Sequence, residues 1–436
     1  MANTYATFTN NTVPSTSKFT WSAWVKRAKL GTQQALFSGA QSSTTGQMIY
    51  FNGAADQLGF YGIASSTVRV DKYTTMKFRD VNAWYHIVVA YDSTLSTASD
   101  RVKFYVNGEL QQLNGTDVQV QGWEPYYMLT YPTDIGRDAM GTSSYFDGEM
   151  SHMNFVIGTV YDASAFGETD STTGEWKIKT SPSVTYSSDG FFILKDGNSV
   201  TDQSGNGNNF TVGGGTLTKT EDCPSNVFAT WNGIADNLDV TLSNGNTSVA
   251  HGSQIERRPV ISSLGNSTGK FYAEFKPTSG ASGNIEFGIV TQPSPSAVGR
   301  YMNQSPQNCG SVSYINDGSI QVDGTATSGL STYTANDIIG VAVDKTNELI
   351  YFYKNGTLVN AGGTNFSGIT AGDGNFYFCN ADRSGGSTYN STANFGNGYF
   401  GTTAVSSAGT NASNNGIFEY DVPTGFTALS TKGLNL

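Results

Sequence analysis

The sequence predicts an all-β protein built as two tandem antiparallel β-sandwiches of jelly-roll type. Three observations carry this reading. The first is composition. Only 14% of the residues are charged, while 37% are hydrophobic and 12% aromatic. An average chain is ~25% charged, but this apolar and aromatic content is enough for packed cores and excludes disorder. The second is pattern: apolar residues alternate with period two in short runs, punctuated by Gly, Asn, Asp and Ser. The third is length, since 436 residues exceed one ordinary domain.

The strands follow in order. "KFTWSAWVKR" sets Phe19, Trp21, Ala23 and Val25 on one face. "AWYHIVVAYD" has two apolar faces, Trp84, His86, Val88 and Ala90 against Tyr85, Ile87, Val89 and Tyr91, which predicts a central strand buried on both sides. "RVKFYVNGEL" places Val102, Phe104 and Val106 together and turns on Asn107-Gly108, a left-handed hairpin signal. "YFDGEMSHMNFVIG" and "DGFFILKDG" complete the first group. Helical periodicity is nearly absent, the exception being a single turn at "DASAFG", residues 162–167. From residue 196 a polar run, "DGNSVTDQSGNGNNFTVGGGTLTKTEDCPSN", reads as a connecting segment. Strands resume with "GKFYAEFKP", "GNIEFGIVTQ", "GSVSYIN", "GSIQVDG", "DIIGVAVDKTNELIYFYKNGTLV" and "NFYFCNAD". The tail offers Phe426 and Leu429 as a staple for the C-terminus. The domains expected are 1–212, a linker at 213–235, and 236–436.

Several function classes are excluded. A formal charge of -11 argues against nucleic acid, whose phosphates demand basic stripes. No apolar run approaches the ~20 residues of a membrane span. The opening "MANTYATFTNNTVPS" has neither the basic nor the apolar region of an export signal. Cys223, Cys309 and Cys379 are scattered and odd in number, so they read as free thiols.

The first group of motifs resembles a laminin-G-like, concanavalin-type jelly roll: "FTWSAWVKR", "NAWYHIVVAYDS", "DRVKFYVNGEL", "IGRD" and "YFDGEMSHMNFV" stand in the family's order. The phrases "FGETDSTTGEWKIK" and "DQSGNGNNFT" resemble a version found in structural proteins of tailed, especially marine, bacteriophages. The second group is similar to a SPRY domain through "GKFYAEFKP", "NDIIGVAVDKTNELIYFYKNGTLV" and "PTGFTAL". These resemblances imply a virion protein assembled in host cytoplasm, which reconciles a polar, Gly-rich surface with the missing export signal.

Candidate sites are few. The jelly-roll resemblance invites comparison with the concanavalin-like glucanases, which place their paired carboxylates at i, i+2 and i+4 of one strand, and no such pattern occurs; Glu168, Asp170 and Glu175 lie in "GETDSTTGE", whose Thr/Gly texture reads as loop. No catalytic residue and no metal ligand is therefore assigned. The laminin-G resemblance admits one rim Ca²⁺ near Asp134, Asp138, Asp147 or Asp56, against ordinary turn duty for the same residues. His86, His152 and Cys379 read as core or face residues. Carbohydrate contact favours Trp123, Tyr126, Tyr127 and Tyr131 of "QGWEPYYMLTYPTD", the alternative being that these rings seal the sandwich end. In the second domain Arg300, Tyr301 and Met302 form a candidate partner-binding anchor. The expectation is a non-enzymatic virion surface protein, in a tail or head fibre, binding host-surface glycan as a homo-oligomer among other virion proteins. The alternative is a capsid decoration or adaptor protein that binds virion proteins alone.

Overall fold

The computed structural model describes residues 3–10, 12, 14–195, 199–233, 240–252, 259–279, 285–291, 310–369, 374–382 and 388–435. They are all-β, with three single 3₁₀ turns and no α-helix among the described residues. The chain divides into two units, Met1–Lys219 with Cys223–Ser225, and Thr220–Asp222 with Asn226–Leu436.

In the first unit an eight-stranded antiparallel sheet runs, edge to edge, Leu113–Thr116, Thr67–Lys77, Gln57–Ala64, Thr45–Phe51, Gln34–Ser42, Thr133–Ile135, Tyr5–Phe8 and Thr211–Gly214. It faces a six-stranded sheet of Phe191–Ile193, Gly148–Ile157, Lys18–Arg27, Trp84–Asp92, Val102–Val106 and Glu109–Leu110. Period-two alternation sends Phe19, Trp21, Ile87, Val89 and Phe104 into the space between them, all fully buried. Aromatic stacking fills it: Phe37 lies on Tyr127 at 4.5 Å and Phe19 on Tyr91 at 4.9 Å.

The second unit repeats the plan. Its larger sheet runs Val240–Ser243, Ser248–His251, Tyr389–Asn394, Lys270–Ser279, Ile339–Asp344, Leu349–Lys354 and Thr357–Leu358. Thr364–Asn365 and Thr427–Ala428 add to it laterally. The facing sheet is Val260–Ile261, Phe376–Asp382, Ile285–Thr291, Ser311–Ile315, Ile320–Val322 and Thr325–Thr327. Phe275 and Phe287 stack across the core at 5.3 Å, beside the buried Trp231.

Each unit also buries the outer face of one sheet. Trp84–Asp92 is buried on both sides, as its two apolar faces predict. The cover over Val88 and Val156 is the chain from 158 to 190, through Tyr161, Ala163, Phe166, Trp176, Val184 and Tyr186. The single turn predicted at 162–167 is part of it: Ala163–Ala165 is a 3₁₀ turn capped by Asp162. The stretch "GETDSTTGE", read from sequence as loop, is instead the start of a two-stranded hairpin, Gly167–Thr169 with Trp176–Ile178. In the second unit Phe418, Val422, Phe426 and Ala428 cover Tyr272 and Ala342 in the same manner. The expected C-terminal staple is present, with Phe426 in this cover and Leu429 in the main core.

The polar run after residue 196 is not a loose connector where it is described. Asp202 organises it, accepting the backbone N–H groups of Phe192, Ser204 and Asn208 at 2.9, 2.9 and 3.0 Å. Asn206 and Asn208 both donate to the Gly190 carbonyl, tying the loop beside Phe191–Ile193. The chain then completes the eight-stranded sheet as Thr211–Gly214. Composition read this run as connecting chain because its hydrogen bonds replace a hydrophobic anchor.

The phrases "FYVNGEL" and "FYKNGTL" occupy matching places. Asn107 and Asn355 both stand at φ 47°. The Asn107 Oδ1 accepts the His86 N–H, and the Asn355 Oδ1 accepts the Ile338 N–H, each at 2.8 Å. The following glycines, Gly108 at φ +87° and Gly356 at φ +76°, lie under aromatic rings of the covering segments. A Cβ on Gly108 would fall 2.7 Å from the Trp176 ring, and one on Gly356 2.7 Å from the Tyr420 ring.

Gly108→Ala and Gly356→Ala therefore combine left-handed backbone strain with displacement of an anchoring ring. Each should lower the stability of its own unit by about 2 kcal/mol or more, with the other unit's denaturant midpoint unchanged. Unaltered midpoints in both variants would remove the ring-on-glycine contact as a stabilising element.

Candidate binding face

The groups that could do acid–base chemistry are tied into structure. Trp176 Nε1 donates to His86 Nδ1 at 3.0 Å, which leaves His86 Nε2 as the donor to Ser22 Oγ at 2.9 Å. Burial pushes the His86 pKa down to about 3, so the ring is neutral and fully engaged. His251 stacks on Tyr389 at 4.2 Å and sets Nε2 2.6 Å from the Asn380 carbonyl oxygen. His152 stands at φ 48° in a bulge, with Nδ1 2.8 Å from Ser151 Oγ. Cys379 is fully buried among Ile261, Val290 and Ala381. Glu168 and Asp170 sit on the exposed hairpin and share Lys177 at 3.4 and 3.2 Å.

The rim loop separates its four aromatics. Tyr127 is fully buried against Phe37, and Trp123 is buried with its carbonyl accepting from the Tyr91 hydroxyl at 2.7 Å. A ring enclosed in the core has no face for a sugar, so these two seal the sandwich end. Tyr126 and Tyr131 stay half-buried, and the Tyr131 hydroxyl accepts from Gln41 Nε2 at 2.8 Å. Two of the three Asp residues near this rim are tied locally. Asp134 pairs with Arg137 at 2.5 Å, and Asp138 accepts the Met140 N–H at 2.9 Å. Burial raises the Asp138 and Asp147 carboxyls. Asp56 accepts from Arg27 at 3.1 Å. Among the described residues no group of three or more His, Cys, Asp and Glu side chains could hold a metal ion. Arg300, Tyr301 and Met302 lie outside the described residues.

A different face brings unspent chemistry together. On the outer side of the eight-stranded sheet, register aligns Tyr50, Gly59, Tyr73 and Asn114 in one cross-strand row. The next row, two residues along, holds Met48, Tyr61, Asp71 and Thr116. Tyr50 leans onto its glycine neighbour: a Cβ on Gly59 would lie 2.6 Å from its ring. Tyr73 leans likewise over Gly115, whose Cβ would lie 2.9 Å from that ring. Tyr50 is buried as a floor with Met48, while Tyr61, Asp71 and Tyr73 are half-buried and Asn114 and Thr116 exposed.

The electrostatics show how close these groups stand. Burial, then Asp71, Tyr61 and Tyr73, push the Tyr50 hydroxyl up to about 12. Burial and then Asp71 raise Tyr61, and burial raises the Asp71 carboxyl itself. No hydrogen bond or ion pair engages the Asp71 carboxylate or the three phenol hydroxyls within the described residues. Sequence reasoning missed this face. Its only signal is the i, i+2 pairing of Met48 with Tyr50, Gly59 with Tyr61 and Asp71 with Tyr73, which means nothing until register aligns three strands.

Comparisons with known proteins agree with this architecture. Residues 1–164 match the family model of the concanavalin A-like lectin/glucanases superfamily. Residues 270–396 match that of the SPRY domain. No curated protein matches the chain. Among solved structures, the SPRY domain of human HERC1 is 20% identical, over 35% of this chain and 91% of that one, with a TM-score of 0.28. The TRIM65 PSpry domain is 15% identical over 38% and 91%, with a TM-score of 0.30. A heptameric SAP-like pentraxin from Limulus polyphemus is 14% identical over 35% and 69%, with a TM-score of 0.25. By the two family models the chain carries an N-terminal laminin-G/concanavalin A-like domain and a C-terminal SPRY domain.

One buried carboxylate has a consequence for stability. Glu274, on the covered outer face of the second unit, accepts the Glu419 and Tyr420 N–H groups at 2.9 Å, with Tyr272 and Asn394 at 3.2 and 3.3 Å. Burial outweighs these bonds and pushes its pKa from 4.5 up to about 7. A raised folded value means the folded state holds the proton more tightly. Its stabilising contribution is complete below the unfolded value and is lost as pH rises through about 7. The second unit should lose about 3 kcal/mol across that window, and Glu274→Gln should flatten the profile. Denaturant midpoints over a pH series test this; an equal slope in the variant would refute it.

Proposed function

We propose that this protein is a non-enzymatic surface component of a tailed-phage particle that presents its lectin-like domain to host-surface glycan. The observation that carries the reading is the outer face of the eight-stranded sheet, where half-buried Tyr61 and Tyr73 flank Asp71 above the Tyr50 floor. Sugar rings present C–H faces that pack on aromatic rings, and their hydroxyls donate to carboxylates and exchange hydrogen bonds with phenols and amides. Asn114 and Thr116 on the neighbouring edge strand add such polar groups in the same two rows. The placement on a virion draws support from the phage-like phrases "FGETDSTTGEWKIK" and "DQSGNGNNFT". Single lectin-like sites bind weakly, so a homo-oligomer, with other virion proteins as its anchor, would supply avidity.

Two measurements test the reading. The intact chain should bind defined glycans on an array, and Tyr61→Ala and Tyr73→Ala should each weaken that binding by about tenfold while the protein stays folded. Full binding in both variants would move the site elsewhere. Imaging of purified particles should show copies of this chain, and their absence would end the virion assignment.

A further inference from the structure

We infer that this face selects a cationic sugar, an amine-bearing glycan whose ammonium group seats beside Asp71 between Tyr61 and Tyr73. The inference rests on the glycan-binding reading above and adds the charge of the ligand to it.

Three features lead to the cation. The first is the unmatched charge of Asp71. It is half-buried, and among the described residues no cation pairs with it. Lys72, the next residue, is committed to Asp117 at 2.6 Å. Arg69, on the same strand, makes no ion pair with Asp71, and its Nε is buried without a partner. A carboxylate drawn partly out of water loses solvation that only a positive partner or a set of donors restores. The other groups in the two rows are phenols, a thioether, a glycine, Asn114 and Thr116; none of them donates to the Asp71 carboxylate within the described residues.

The second feature is the walls. Tyr61 stands directly across from Asp71 in the ladder, and Tyr73 stands two residues along the same strand. The register makes Tyr61 the direct neighbour of Asp71 and Tyr73 the diagonal neighbour of Tyr61, positions whose Cβ atoms lie roughly 5 and 7–8 Å apart, with the Tyr73 ring leaning toward Gly115. That suits a group the size of an ammonium lodged between them. The quadrupole of a phenol ring attracts such a cation and gives a neutral hydroxyl far less. The third is the wider field. The chain carries a formal charge of -11, which draws cationic ligands toward it and repels acidic sugars. The exposed Asn114 and Thr116 remain for the hydroxyls of the same residue.

The probe is an oligomer of glucosamine, compared with its fully N-acetylated counterpart and with an oligomer of an acidic sugar. Calorimetric titration of the full chain is made where amines are charged and carboxylates ionised. The expected result is binding of the glucosamine oligomer at least tenfold tighter than the acetylated one, with no binding of the acidic oligomer. Asp71→Asn, which keeps size and shape, should abolish the preference. Tyr61→Phe should keep binding, since the ring face survives, and Tyr61→Ala should weaken it by about tenfold. Affinity should also fall as pH drops through the carboxylate range, because protonated Asp71 offers no charge; burial makes this loss begin at higher pH than for an ordinary Asp. Equal binding of both neutral and amine oligomers, unchanged in Asp71→Asn, would overturn the charge selection and leave the glycan reading standing. Binding of no oligomer by the folded chain would overturn both.

Discussion

Each sandwich depends on one constraint: a central strand apolar on both faces has to be covered twice. In Trp84–Asp92 the inner residues Tyr85, Ile87, Val89 and Tyr91 meet the opposite sheet, while Trp84, His86, Val88 and Ala90 look outward and are equally buried. A strand of that kind cannot end a layered fold against water. The cover in both units is chain that comes late in the unit, Tyr161 to Tyr186 in the first and Phe418 to Ala428 in the second. Burial of an outer face also buries polar atoms, and the covers satisfy them. Thr20 exchanges hydrogen bonds with Thr159 and Tyr161, Asn154 accepts from Tyr186, and Glu274 takes two backbone amides of its own cover. A polar network in that position is stabilising only when its members are matched, so these bonds fix which segment can lie there.

The repeated Asn-Gly phrase belongs to the same constraint. A cover needs a foothold at the end of the sheet, and a left-handed Asn followed by Gly supplies one. The asparagine oxygen closes the hairpin by taking the first free N–H of the central strand, at His86 or near it at Ile338. The glycine, with no Cβ, lets a ring of the cover settle on the backbone. Leu110 and Leu358, which complete the match between the phrases, are 57% and 41% exposed and so contribute little to either core. The likeness between the two domains is thus a requirement of covering a sheet, and duplication is not needed to explain it.

Legibility in the sequence followed the range of the interactions involved. Strands with strict alternation, the two-faced central strand and the turn at Ala163–Ala165 were readable because each is determined within a few neighbouring residues. The rim loop was half readable. Its aromatic content was plain, but nothing local distinguishes Tyr127, pinned beneath Phe37, from its neighbour Tyr126. The loop built around Asp202 was misread as connecting chain because its anchors, Gly190 and Phe192, come from the preceding strand region. The tyrosine face was invisible. It exists only because the register of three strands brings residues 50, 61, 71 and 73 into adjacent rows, and one residue of slip would send Tyr61 and Asp71 into the core.

The outer faces of the sheets differ in how their polar groups are used. On the six-stranded sheet of the first unit and the larger sheet of the second, outward polar groups are spent on the covers. The outer face of the smaller sheet in the second unit is buried at Ile261, Val290, Cys379 and Ala381. The outer face of the eight-stranded sheet follows a different logic. Its floor is packed as tightly as a core, with Ala35, Met48 and Tyr50 buried, yet above that floor stand phenols and a carboxylate with no internal partner. A packed floor under partly exposed polar groups that lack a partner among the described residues holds those groups in place for a ligand at small entropic cost. Stability alone would favour an ion pair or an apolar residue at position 71. An unpaired aspartate between two tyrosines is destabilising in isolation and becomes favourable when a partner brings the missing charge.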